Sequence, residues 1–191
     1  MCAHRCAVQD ISGKAITLVL GGVRSGKSRF AQALAARSSS VAFIASAQPF
    51  DEEMRLKIDR HQMERPKEWR TIEEPLELDR VLTDEAPKHR MLVVDCLTLY
   101  AANLLEAERG NLAAIEERLQ RFYAALHSVP CSVALVSNEV GSGVVPPYPE
   151  GRQYRDVLGE INQRVASIAD NVLLMVAGLP LALKGTAEVR Q

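Results

Sequence analysis

The sequence predicts an α/β domain: a mostly parallel central sheet with helices on both faces. Three observations carry this. Five short apolar runs lack the polar–apolar alternation of a strand with one wet face, as expected of parallel strands covered on both sides. Segments of helical periodicity separate these runs. A glycine-rich turn lies between the first apolar run and the first helical pattern, so the chain opens on a βα unit.

The five runs are AITLVLG (15–21), VAFIAS (41–46), MLVVDC (91–96), SVALVSN (132–138) and NVLLMVA (171–177), each rich in Val, Ile and Leu. A sixth, LALK after Pro180, is predicted to return as an edge strand. Between them, KSRFAQALAARS places Phe30 and Leu34 four apart, at helical spacing. DEEMRLKIDRHQMER sets Met54, Ile58 and His61 on one stripe, with Arg55/Asp59 and Arg60/Glu64 as charge pairs elsewhere on the helix. Leu112, Ile115, Leu119, Phe122 and Leu126 align along a third helix, and Tyr154, Leu158, Ile161, Val165 and Ile168 along a fourth. Neither of these two stripes lasts three heptads, so both are predicted as core contacts rather than coiled coils. The proline cluster VVPPYPEG reads as a loop near the end of the sheet where ligands sit.

A chain of 191 residues, 47% hydrophobic and 25% charged, suits one soluble core. A net charge of −1 gives no electrostatic basis for binding nucleic acid or an anionic membrane. The opening residues MCAHRCAVQDISGKA lack the apolar stretch of a secretory signal. The longest apolar run is broken by Gly178 and Pro180, short of the ~20 residues a bilayer span needs. Cys96 and Cys131 sit in apolar runs and read as buried free thiols, whereas Cys2 and Cys6 lie in a loose tail. The expected organisation is an N-terminal extension over 1–14 and one catalytic nucleotide-binding domain over 15–191, in the cytoplasm.

Gly21-Gly22-Val23-Arg24-Ser25-Gly26-Lys27-Ser28 fits GxxxxGK[ST], with a strand before it and a helix after it. Glycines let the backbone curl so that its N–H groups point inward at a helix N-terminus, which makes a concave anion site. Lys27 is placed to reach the β- and γ-phosphates of a nucleoside triphosphate, and the Ser28 hydroxyl to ligate Mg²⁺. The fold class thereby sharpens to a P-loop NTPase. Such a protein also needs a carboxylate on a neighbouring strand to hold the magnesium. Asp95, closing the apolar run MLVVD, is the candidate, with Glu139 next.

GGVRSGKS resembles the loop of the bifunctional adenosylcobinamide kinase/adenosylcobinamide-phosphate guanylyltransferases of cobalamin biosynthesis. Four further segments match that family in order: FIASAQPFDEEMRLKIDRHQMERPKEWRTIEEP, VVDCLTLYAANLL, VSNEVGSGVVP and RDVLGEINQRVASIADNVLLMVAGLPLALK. Together the matches cover nearly everything from Ile16 to Lys184. The resemblance implies phosphorylation of the aminopropanol hydroxyl of adenosylcobinamide by ATP or GTP. Transfer of GMP from GTP to the product would follow, through a guanylylated histidine.

The family's nucleotide-accepting histidine maps to His61. Read from the residues alone, His61 is a packed side chain on the Met54/Ile58 stripe. Its chemistry suits the role nonetheless, because an imidazole is largely neutral near pH 7 and the cations Arg60 and Arg65 disfavour its protonation. Ser46 and Gln48 resemble nucleotide contacts, and Glu64, Arg65 and Glu73 resemble guanosine contacts. A carboxylate suits guanine because it accepts from the ring N1–H and the exocyclic amine together. Asn138, Glu139 and Gly141–Gly143 are expected to border the site, on either the nucleotide or the corrinoid side. His4, His89 and His127 lie outside the matched motifs and are expected at the surface. Ser142 stands where many relatives carry an apolar residue, and PPYPEG is richer in proline than usual. The family is associated with a trimer, so a homo-oligomer is implied. Two other readings fit the loop: a P-loop small-molecule kinase without nucleotidyl transfer, and a nucleotide-gated binding module.

Overall fold

The computed structural model of the protein describes residues 14–48, 52, 55, 56, 62 and 65–185. Seven strands form one sheet: β1 (Ile16–Gly21), β2 (Val41–Ala45), β3 (Arg70–Glu73), β4 (Met91–Asp95), β5 (Ser132–Val136), β6 (Asn171–Val176) and β7 (Leu179–Lys184). Their order is β3-β2-β4-β5-β1-β6-β7. Neighbours from β3 to β6 pair in parallel, and β7 returns antiparallel to β6. This is the expected α/β class. β1 and β2 are buried along their whole length, which explains why they read as unbroken apolar runs.

Among the described residues, five α-helices with defined bounds cover the sheet: α1 (Lys27–Ala35), α2 (Leu78–Glu85), α3 (Leu97–Ala107), α4 (Leu112–Ser128) and α5 (Pro149–Ile168). α1 packs over β1, β4 and β5. Its Ala31 and Ala35 join Phe43, Val93, Ala134, Val136 and Trp69 in the smaller core. The larger core gathers residues of α2, α3, α4 and α5 on the other face. Along the stripe of α4, Ile115, Leu119, Phe122 and Leu126 are buried, while Leu112 at its start is exposed. The stripe of α5 buries Leu158, Ile161 and Val165. Asn111 caps α4 by accepting from the Ala114 N–H at 3.4 Å, and Pro149 stands in the first turn of α5, where its missing N–H costs nothing.

Four elements depart from the sequence reading. β3 has no apolar run; its residues RTIE are mostly exposed, and the strand forms by pairing with β2 at the sheet edge. α2 and α3 fall in segments for which no helix was expected. The sixth strand begins before Pro180 instead of after it. Pro180 pairs with Met175 on the outermost strand, where a proline is tolerated. Cys131 is buried as expected and Cys96 is partly covered; both are free thiols. His127 is exposed, but His89 is largely enclosed: its ring lies 3.0 Å from the Ser40 hydroxyl and 3.4 Å from a Glu85 carboxylate oxygen. Among the described residues, no helix is long and apolar enough to cross a membrane. The extension before Lys14, including His4, Cys2 and Cys6, lies outside the described residues, as does the Met54/Ile58/His61 stripe.

Candidate active site

The C-terminal ends of the parallel strands set the site. Gly21 ends β1 with φ 150°, and a Cβ there would stand 2.5 Å from the Met175 carbonyl oxygen and 2.6 Å from the Ser25 hydroxyl, so this turn needs glycine. Gly26 begins α1 at φ 96°, against Gly178 of the β6–β7 turn. Between them Val23 and Arg24 are exposed at the tip, with Arg24 at φ 56°. The Ser25 N–H bonds the Gly22 carbonyl at 3.3 Å, and the Gly178 N–H bonds the Ser25 carbonyl at 3.0 Å. Lys27 is buried, and its ammonium donates to the Gly22 carbonyl at 2.6 Å, folding back across the mouth of the loop. Ser28 is half-buried on the first turn of α1.

Register places the acids. Glu73 pairs with Ala45, Ala45 with Asp95, Asp95 with Val136, and Val136 with Val19, so one row crosses five strands. Side chains in a row share a face. Ala45 and Val136 belong to the core beneath α1, so Asp95 and Glu73 lie on the Lys27 face. The expectation that Asp95 stands on the strand next to the loop is corrected: β5 lies between β1 and β4. Strand order is not written in local periodicity, which is why the sequence could not show this.

Electrostatics agree with the register. Burial lowers the Lys27 pKa, and the facing Cys96 and Asp95 oppose it. Cys96 is itself pushed up to about 11 by burial and by Asp95, so it is a neutral thiol near pH 7 and Asp95 supplies the counter-charge. The Arg65 guanidinium lies 3.8 Å above the Phe43 ring. Burial lowers its pKa, while Asp95 and Glu73 favour its charge. Its Nε and one Nη are buried, with no hydrogen-bond partner among the described residues. Gln62 donates to Glu73 at 2.9 Å.

Ser46 is fully buried and its hydroxyl works in both directions, accepting from the Cys96 N–H at 2.9 Å and donating to the Cys96 carbonyl at 2.7 Å. It fixes the corner where β4 passes into α3. Gln48 is half-buried after β2. His61 and Glu64 lie outside the described residues.

Several supporting residues escaped the sequence reading. Asn103 is buried on α3 and donates to the Ser46 and Pro75 carbonyls at 2.8 and 3.1 Å. Thr98 accepts from the Asn138 N–H at 2.9 Å, and Asn162 donates to the Asn138 carbonyl at 3.0 Å. Amides at core positions of otherwise apolar helices were the available signal. Beyond Asn138, the Glu139 N–H bonds the Gly21 carbonyl at 3.2 Å, so the segment after β5 touches the phosphate loop.

Comparison with known proteins decides the family. Residues 17–183 match the family described as cobinamide kinase / cobinamide phosphate guanyltransferase. The chain belongs to this family. It is 45% identical over 169 residues to the bifunctional adenosylcobalamin biosynthesis protein CobP of Pseudomonas aeruginosa, covering 88% of this chain and 96% of that one. It is 38% identical over 178 residues to the bifunctional adenosylcobalamin biosynthesis protein CobU of Escherichia coli, covering 87% and 98%. The corresponding Salmonella typhimurium protein is 39% identical with the same coverage. The fold of this chain also resembles an ATPase of a bacterial type III secretion system, with TM-score 0.54 at 13% identity, over 88% of this chain and 56% of that one. This last likeness concerns the fold alone.

Proposed function

We propose that this cobinamide kinase / guanyltransferase family member phosphorylates the aminopropanol hydroxyl of adenosylcobinamide, then transfers GMP from GTP to the new phosphate, giving adenosylcobinamide-GDP. The observation that carries the reading is the meeting of Lys27 and Asp95 on one face at the C-terminal ends of the strands. Gly21 to Ser28 would cradle the triphosphate of ATP or GTP, with Lys27 leaving the Gly22 carbonyl for the phosphates.

Mg²⁺ fits these residues. Among the described residues no group of three or more His, Cys, Asp or Glu could hold a metal. One carboxylate (Asp95), one hydroxyl (Ser28) and the nucleotide's own phosphate oxygens suit an ion that keeps part of its water shell. When bound it would offset phosphate charge. The unpartnered donors of Arg65 are ready-made for phosphate or guanosine, and its charge, beside His61 in sequence, would keep that imidazole neutral. Glu64, Glu73, Ser46 and Gln48 complete the proposed nucleotide side, Ser46 by holding the Asp95–Cys96 corner.

In the first reaction the acceptor hydroxyl oxygen attacks the γ-phosphorus in line, and the bond to the nucleoside diphosphate breaks. In the second, the neutral His61 imidazole attacks the α-phosphorus of GTP and pyrophosphate leaves. A phosphate oxygen of adenosylcobinamide phosphate then attacks the same phosphorus, breaking the P–N bond and freeing the imidazole. We place the reactions in the cytoplasm and in a homo-oligomer, with the trimer as the form to test.

GTP labelled at the α-phosphate tests the reading. Wild-type protein with Mg²⁺ should gain one GMP, release pyrophosphate, and lose the adduct in acid but not in base, as a phosphoramidate does. His61→Ala should form no adduct and lose guanylyl transfer, with kinase turnover retained. An adduct persisting in His61→Ala, or one stable to acid, would overturn it.

A further inference from the structure

The segment from Gly141 to Tyr148 combines two properties that rarely occur together. Its backbone is pinned. Gly141 N–H donates to the Glu139 carboxylate at 2.6 Å, and Arg155 of α5 donates to the Gly141 and Val144 carbonyls at 2.7 and 3.5 Å. Arg152 donates to the Pro146 and Pro147 carbonyls at 3.1 and 2.8 Å. Gly151 lets the loop lie close on α5, since a Cβ there would stand 2.5 Å from the Tyr148 ring and 2.8 Å from Pro146. Yet the side chains so presented are apolar and wet: Val144 is 94% exposed, Val145 62% and Tyr148 58%. A mobile loop could fold such side chains away; this one is held with them outward.

Its position says what they meet. The loop leaves the ligand end of β5, and Glu139 is bonded to Gly21 of the phosphate loop. Val144 follows Glu139 by five residues, within at most about 18 Å of it even at full extension. The acceptor hydroxyl of the proposed reaction must approach the γ-phosphorus in line, and a short aminopropanol arm joins that hydroxyl to the corrin macrocycle. The macrocycle must therefore rest beside the phosphate loop. Its faces carry ring methyl groups between projecting amide arms, and two β-branched valines with few rotamers to lose present a stiff surface to those methyls.

Resting on the function proposed above, we infer that Val144 and Val145, with the Tyr148 ring beside them, form the platform on which the ring methyls of the corrinoid substrate sit. The platform serves both reactions, since the macrocycle is common to both acceptors. It has no part in guanylylation of His61, which needs GTP alone.

The test is the double variant Val144→Ser/Val145→Ser, with Val144→Ile/Val145→Ile as the conservative counterpart. The serine variant should raise KM for adenosylcobinamide and for adenosylcobinamide phosphate about tenfold. The rate of GMP adduct formation, the KM for GTP and the sedimentation coefficient should stay unchanged. The isoleucine variant should keep corrinoid KM near the wild-type value. Unchanged corrinoid KM in the serine variant would overturn the platform, as would a change of oligomeric state, which would mean that another copy of the chain covers the valines. Wild-type protein that forms the GMP adduct and turns over corrinoid establishes the underlying function separately. Failure of the wild type in both would overturn that function and the platform with it.

Discussion

The Arg65 guanidinium sits over Phe43, its central carbon 3.8 Å from the ring centroid, with two buried nitrogens that find no hydrogen-bond partner among the described residues. The ring holds the guanidinium in place, and the proposal gives its donors to the nucleotide. Arg65→Lys keeps the charge but loses the plane and the stacking. GTP binding should weaken about tenfold, a loss of about 1.4 kcal/mol, with little change in thermal midpoint. Isothermal titration checks this; an unchanged affinity would remove Arg65 from the nucleotide side.

Lys27→Ala should lower both phosphoryl and guanylyl transfer by about 10²-fold or more, the usual scale for losing one donor aimed at developing charge. The proposal has one cradle serve both reactions, so the two activities should fall together. Steady-state kinetics, with circular dichroism to show that the fold persists, decides the point. Retention of either activity at full rate would contradict a shared cradle.

Asp95→Asn should raise the Mg²⁺ concentration for half-maximal rate, because a hard cation prefers a charged oxygen. It should also shift the alkaline limb of the rate profile. Burial lowers the Lys27 pKa and Asp95 opposes that, so without Asp95 the ammonium loses its proton at lower pH. The limb therefore moves to lower pH in the variant. A magnesium titration and a pH–rate profile on the same protein report the two effects independently.

Glu85 marks the opposite end of the sheet. It takes a hydrogen bond from Lys88 at 3.0 Å and faces Arg70 at 3.3 Å, and the Lys88 bond leads in holding its carboxyl below the usual range. A depressed folded value means the stabilisation is complete above the unfolded pKa, about 4.3, and is lost as pH falls through the folded value. Glu85→Gln should cost about 1–3 kcal/mol at pH 7. It should also flatten the fall in thermal midpoint below pH 4.3. Catalysis at neutral pH should be unaffected. Thermal melts across pH 3–7 follow all of this except turnover.

Buried strands announced themselves as apolar runs: β1, β2, β4 and β5 are enclosed almost throughout, and β6 over half of its length. β3 could not, because RTIE is an edge strand whose place is given by its partner β2 rather than by its own residues. α3 hid for the reverse reason. It buries Leu97, Thr98, Tyr100, Ala101, Asn103 and Leu104, so no polar face marks the helical period. At the site, the phosphate loop and Asp95 were legible because each is a local pattern. The Arg65–Phe43 stack and the Ser46–Cys96 bonds join residues 22 and 50 positions apart, and no local pattern reports them.

The hydrogen bond from Gly178 to Ser25 gives the outer edge of the sheet a mechanical connection to the phosphate loop. β6 and β7 meet in a tight turn whose apex is that bond, and β7 carries Leu179, Leu181 and Leu183 outward into solvent. The hairpin is a handle. Whatever grips its outer strand, whether an engineered binder or a tethered reporter dye, holds the peptide that shapes the triphosphate cradle.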